Sequence, residues 1–252
     1  MSTLPQVVFF SLVGGLFSLV GGALLLARQS WANKLARYAT PFAAGAMLAA
    51  AFMDLMPEAI EGVAEPHLAM LFTMLGLLSF FILETVIHWS HDHTVKDDHT
   101  DPLVTMVVIG DTVHNFLDGV AIAAGFLISP ASGIIVTLAV AAHEIPHEIG
   151  DFGLMLDMGV KRGRVLLINV ASSLATTVAA TIFFLWGNAS HLTLTPTLSV
   201  VAGFFIYIAA ADIIPTLHEE TDKGEVVKKT LCLLAGVFLV YLTISAFHNL
   251  IG

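Results

Sequence analysis

Apolar positions run almost unbroken through this chain, in stretches of about 20 residues, the length that carries an α-helix across a bilayer core. Eight such stretches are legible, at roughly 5–27, 39–57, 68–89, 103–127, 131–155, 165–187, 196–217 and 230–250. They predict an all-α polytopic membrane protein with eight transmembrane helices in one domain spanning residues 1–252. The first stretch is Gly-rich and lacks a small-residue cleavage pattern after it, so it reads as a retained span. Trp31, Trp89 and Trp186 fall at predicted span ends, where amphipathic rings favour the membrane interface.

Two of the spans break in the same way. Asp54-Leu55-Met56-Pro57 closes the second and Asp212-Ile213-Ile214-Pro215 closes the seventh, and these spans run in opposite directions. Pro-interrupted helices in corresponding positions are the sequence sign of an inverted repeat. Spans one to three would then correspond to spans six to eight, with spans four and five between them.

Charge fixes an orientation. The chain has ten Lys and Arg, and all follow an odd-numbered span: Arg28, Lys34 and Arg37; Lys96; Lys161, Arg162 and Arg164; Lys223, Lys228 and Lys229. The positive-inside rule puts those loops in the cytoplasm and both termini outside a cell membrane, inner or plasma. Composition agrees with a membrane chain: 57% hydrophobic and 12% charged, where soluble domains carry about 25% charged residues. The formal net charge of −10 comes partly from acids inside the spans, with no Lys or Arg at that depth to pair with them. Such acids need a proton, water or a cation. Nothing in this pattern points to a nucleic-acid partner, and the partners it does imply are the bilayer and cations. The single Cys232 excludes an intrachain disulfide and a multi-thiolate site.

The candidate chemistry sits in spans four and five. At about 100° per residue, Asp111, His114, Asn115 and Asp118 share one face of span four, and His143, Glu144, His147, Glu148 and Asp151 share one face of span five. His114 and Asp118, His143 and His147, and Glu144 and Glu148 are all i, i+4 pairs, a spacing that lets two side chains grip one ion. Imidazole beside carboxylate suits first-row divalent metals, zinc first. Pro146 removes a backbone donor within the same face. The short link at Ser129-Pro130 makes the two spans antiparallel neighbours, so their polar faces can meet.

Asp-x-x-His-Asn-Phe-x-Asp-Gly at 111–119 and His-Glu-x-Pro-His-Glu-x-Gly-Asp at 143–151 resemble the fourth- and fifth-span signatures of the ZIP metal-ion transporters. The likeness is to a prokaryotic-type member of the branch with the His-Glu-x-Pro-His-Glu signature, which includes zinc importers of animals. It implies zinc uptake into the cytoplasm through a mid-membrane site, with Zn2+ as substrate and no prosthetic cofactor, and a homodimer. Fe2+, Mn2+, Co2+ and Cd2+ could use the same ligands. The resemblance assigns His114, Asp118, His143 and His147 to the main site, Asn115 and Glu144 to an adjoining one with Glu148 nearby, and Met47 to a thioether contact. Asp212 would lie on the cytoplasmic exit and Asp54 near the outer entrance. Some relatives complete a second metal site with a span-six glutamate; here Asn169-Val170-Ala171-Ser172-Ser173 has none, so one tight zinc and at most one weak one are expected. The His-rich stretch around 90–102, with His91, His93 and His99, reads as a cytoplasmic metal-facing loop.

The competing reading is an intramembrane zinc metalloprotease using His143-Glu144-x-x-His147, with Glu144 as general base. Leu117-Asp118-Gly119 stands before the His motif, whereas in site-2-type proteases the corresponding motif follows it, and Pro146 interrupts the ligand pair. The expectation is therefore a transporter and not an enzyme.

Overall fold

A computed structural model describes residues 2–61, 65–92, 101–190, 194–218 and 220–251, and every regular element in them is helical. The order is α1 (Leu4–Ala27), α2 (Gln29–Ala50), a π-turn (Ala51–Leu55), α3 (Met56–Ile60), α4 (Pro66–Asp92), α5 (Asp101–Ile128), α6 (Pro130–Asp157), α7 (Arg162–Ser190), α8 (Leu194–Tyr207), a second π-turn (Ile208–Ile213), α9 (Ile214–His218) and α10 (Lys223–Ile251). With α2 and α3 read as one bent rod, and α8 and α9 as another, the rods follow the eight apolar stretches. Seven are long and apolar enough to cross a membrane. The remaining rod, α6, has 28 residues but carries Glu144, Glu148, Asp151 and Asp157. The chain is an all-helical polytopic membrane protein.

Local sequence explains the joints. At the start of α1 the Thr3 N–H donates to Gln6 Oε1 at 2.8 Å, satisfying a donor that no helical turn can reach. Pro130 forces the preceding Ser129 to extended backbone (φ −158, ψ 159), which ends α5. Ser129 then caps α6, its hydroxyl accepting from Ser132 N–H at 3.0 Å. A one-residue link therefore sets α5 and α6 side by side. Both π-turns come just before the prolines noted in the sequence, Pro57 and Pro215. A proline ring collides with the carbonyl four residues back, and widening the helix there accommodates it. Ser132 Oγ donates to Asp54 Oδ1 at 3.1 Å, pinning the first π-turn to the start of α6.

Packing follows the rule for membrane helices, with small residues where backbones approach. Helix α2 buries Ala43, Ala44, Ala46, Ala49 and Ala50 and packs on α10 and α6, while α4 packs on α8. Helices α1, α5, α6 and α7 pack together. Phe9, Phe52, Ile82, Leu167, Ile182 and Phe238 are more than half exposed, as side chains facing lipid would be. Helix α2 begins well before its apolar stretch, so Lys34 and Arg37 lie on its first turns and not in a loop. Arg37 pairs with Glu220 at 2.9 Å and Glu225 at 3.3 Å, and Lys229 pairs with Glu220 at 3.0 Å. The Arg37 guanidinium and the Lys229 ammonium hold the Glu220 carboxyl down to about 2. This tie fastens the start of α2 to the start of α10. The His-rich stretch divides: α4 runs to Asp92, and residues 93–100, with His93 and His99, lie outside the described residues, as do the side chains of His88 and His91.

Candidate metal centre

The polar faces of α5 and α6 meet. His114 Nε2 and His143 Nε2 are 3.1 Å apart. His143 Nε2 lies 3.3 Å from Asp118 Oδ2 and 3.6 Å from Glu144 Oε1. His114 Nε2 lies 3.3 Å from Glu144 Oε1 and 3.9 Å from Asp118 Oδ2. A tetrahedral zinc with bonds of about 2.0–2.1 Å holds its ligand atoms roughly 3.3 Å apart. These distances are therefore close to the edges of a zinc tetrahedron with two nitrogen and two oxygen ligands. Asp118 Oδ2 and both Glu144 oxygens are buried without a hydrogen-bond partner. Leaving carboxylates so costs several kcal/mol or more unless something neutralises them, and a divalent cation does so directly.

The surrounding contacts prepare the donors. His143 Nδ1 is 3.1 Å from the Ala139 carbonyl, which can only accept. Nδ1 therefore carries the proton, and Nε2 of the neutral ring turns its lone pair to the cluster, the usual arrangement of a metal-binding imidazole. His114 stands between two rings: Phe80 meets it edge-on at 5.9 Å, and His147 stacks on it at 4.6 Å. Phe80 packs in turn on Phe204 and Tyr207, so an aromatic wall from α4 and α8 closes that side.

The residues singled out in the sequence fall into distinct places. His114, Asp118, His143 and Glu144 form one compact group. His147 lies beside it: its Nδ1 is 4.0 Å from Glu144 and 3.8 Å from Asp151, and its side chain is 38% exposed. Glu144, expected in the adjoining site, stands both in the first group and in an adjoining one with Asp111 and Glu148, and His147 stands beside them with Asp111 and Asp151. Glu148 is wholly buried and near Asp111 and Glu144. Asn115 is fully buried, and its amide donates to Asp111 Oδ1 at 2.8 Å while its oxygen accepts from Thr176 Oγ1 at 2.8 Å. That leaves one lone pair on the Asn115 oxygen. Met47 is wholly buried in the apolar core. Asp212 lies on the second π-turn, and its side chain is outside the described residues.

Thr176 was not anticipated. Its signal is the polar stripe Asn169, Ser172, Ser173 and Thr176 along span six, all buried. Thr176→Val should leave the Asn115 oxygen short of a partner, costing about 1–3 kcal/mol, and should weaken zinc binding about tenfold by loosening an outer support. Thermal unfolding and a chelator-competition titration measure the two effects.

The model of the family described as ZIP Zinc transporter matches residues 4–103 and 90–243. Zinc transporter ZIP13 of Pongo abelii is 29% identical over 216 residues, 80% of this chain and 64% of that protein. Zinc transporter zipt-7.2 of Caenorhabditis elegans is 37% identical over 136 residues, 52% of this chain and 29% of that protein. Zinc transporter ZIP4 of Homo sapiens is 39% identical over 117 residues, 46% of this chain and 18% of that protein. The chain thus spans less than two thirds of the length of each of these curated relatives. With the family match running over nearly all of its helices, the chain belongs to the ZIP zinc transporter family.

Proposed function

We propose that the chain carries zinc across a cell membrane into the cytoplasm, through the group formed by His114, Asp118, His143 and Glu144. The observation that carries this reading is the near-tetrahedral set of two imidazole nitrogens and two unpartnered carboxylate oxygens between α5 and α6. Mixed nitrogen and oxygen donors release zinc more readily than thiolates, which suits a cargo that must leave. Asn115, His147 and Glu148 stand beside this group, Met47 is the candidate soft contact from α2, and Asp54 and Asp212 mark the outer and inner ends. Because protons compete with the metal for these ligands, uptake falls at acid pH. Fe2+, Mn2+, Co2+ and Cd2+ are secondary cargoes for the same donors.

The inverted repeat gains support from the packing. Gly45 and Gly203 each precede their Asp by nine residues. A Cβ on Gly45 would lie 2.0 Å from the Leu233 carbonyl oxygen on α10, and one on Gly203 would lie 2.2 Å from the Thr73 carbonyl oxygen on α4. The partner helices answer with Gly236 and Gly76, equally close to α2 and α8. The pair α2 with α10 thus mirrors the pair α8 with α4. Alternating access then moves the group α1, α5, α6 and α7 against these two pairs. The working unit is a homodimer, which light scattering would register as twice the chain mass.

Both termini are outside. In a Cys232→Ala background, cysteines at Lys161 and Ala189, both exposed, should label from the cytoplasmic and outer sides respectively. Labelling from one side overturns the orientation. Expression in zinc-starved cells that lack their own uptake should restore growth, and Asp118→Asn should not. Failure of a folded, membrane-inserted chain to restore growth, with metal-dependent cleavage of a membrane peptide that Glu144→Gln abolishes, would favour the protease.

A further inference from the structure

We propose that Asp54 and Ser132 form a latch that holds the outer half of the chain closed, fastening the group α1, α5, α6 and α7 to the bent rod of α2 and α3. The latch rests on the transport reading above, because it acts on the alternation between two faces that transport requires.

Ser132 Oγ donates to Asp54 Oδ1 at 3.1 Å. This bond ends a short series. Ser129 Oγ accepts from the Ser132 N–H at 3.0 Å and donates its own proton to Ser132 Oγ at 3.1 Å. Bonds in series polarise one another, so Ser132 donates more strongly than an isolated hydroxyl. The carboxylate also stands at the start of the 28-residue helix α6, where unsatisfied N–H groups favour negative charge. Ser132 is buried, and so is Asp54 Oδ2, which has no hydrogen-bond partner. The bond is therefore made away from bulk water.

Its place in the fold is what makes it a latch. The hydrogen bonds of Tyr38 to Glu225 and of Tyr207 to Glu84 lie within the α2–α10 and α8–α4 pairs. The bond of Thr176 to Asn115 lies within the other group. The Asp54–Ser132 bond crosses from the one body to the other. The seam beneath it is smooth: α2 packs on α6, and the small Ala43, Ala46 and Ala50 are buried along α2. Packing of small residues holds membrane helices together without a hydrophobic drive between them. A polar bond at one end can then set the position at which the seam rests.

The closed side is the latched side. Ile135 and Ala139 share the Ser132 face of α6 between Ser132 and His143, and both are buried. One turn beyond His143, the His147 side chain is 38% exposed. The metal group is thus sealed toward Ser132 and open in the opposite direction. Ser129 is also the whole link between α5 and α6, so a hold on Ser132 fixes the ends of both helices that carry the metal ligands.

The test uses the full chain in lipid nanodiscs, in a Cys232→Ala background with Ile135→Cys as reporter, and follows labelling by a water-soluble maleimide. Interhelical hydrogen bonds in membranes shift such equilibria roughly 3- to 20-fold. Ser132→Ala should speed labelling by that factor, and Ser132→Thr, which keeps the hydroxyl, should not. Asp54→Ala removes the acceptor instead and should speed labelling alike. In proteoliposomes Ser132→Ala should also lower the KM for zinc, because more of the chain waits open to the outside; a merely loosened protein would not show this. If the parent moves zinc and neither Ser132→Ala nor Asp54→Ala changes the labelling rate, the latch is overturned and the transport reading stands. A parent that moves no zinc but labels faster with Ser132→Ala loses the transport reading and keeps the latch.

Discussion

His143→Ala should weaken zinc binding by at least about 100-fold and abolish uptake. Its Nε2 lies within 3.6 Å of the ligand atoms of His114, Asp118 and Glu144. No other side chain in the group presents so many short edges. Loss of an outer-shell support alone typically costs 10–100-fold in metal affinity, and a direct ligand contributes more. The loss is specific, because the Ala139 carbonyl that holds His143 is a helix carbonyl and is not stranded by the change. His67 provides a control: it is exposed, at the start of α4 and 3.7 Å from Glu65, so His67→Ala should leave affinity unchanged. Competition with a chromophoric chelator measures both. A His143→Ala protein that binds zinc within about threefold of wild type would remove this residue from the site.

Gly45→Val should prevent stable accumulation of the protein. Even a methyl group there would sit 2.0 Å from the Leu233 carbonyl oxygen and 2.8 Å from its carbon. Overpacking a core by flexible side chains costs about 1–3 kcal/mol. Here the obstacle is backbone, so relief requires α2 and α10 to part along their length. Gly203→Val meets the Thr73 carbonyl at 2.2 Å and should behave alike. Gly163→Ala, whose added Cβ would meet no other part of the described residues within 4 Å beyond its own stretch of helix, should leave the melting temperature within a degree or two. A normal melting temperature for Gly45→Val in detergent would mean that the two helices do not approach so closely.

The apolar stretches made the rods legible, and Pro57 and Pro215 marked where two of them widen into π-turns. Span ends were less legible. Hydropathy sees only the apolar part of a helix, whereas α2 continues through Lys34 and Arg37, and Arg37 pairs with Glu220 and Glu225 there. In α6 the reverse holds: the acids that make the site also lower its hydropathy, so composition alone understates it as a span. Helical spacing identified both polar faces and the residues on them. It did not say which of Glu144 and His147 completes the first group. Both lie on the same face of α6, and a modest rotation of that helix against α5 decides between them. Thr176 was hidden for another reason. A threonine in a membrane helix commonly bonds its own backbone, and only the neighbouring helix shows that this one holds Asn115.

The most direct measurement is zinc flux into sealed proteoliposomes that contain the purified chain and an internal zinc indicator. Wild type should fill the vesicles with zinc down its gradient without added nucleotide. Protein-free vesicles and vesicles with Asp118→Asn should not fill. A wild-type chain that binds zinc at the His114–His143 group but moves none, in vesicles where its insertion is verified, would contradict the account and leave a metal site without transport.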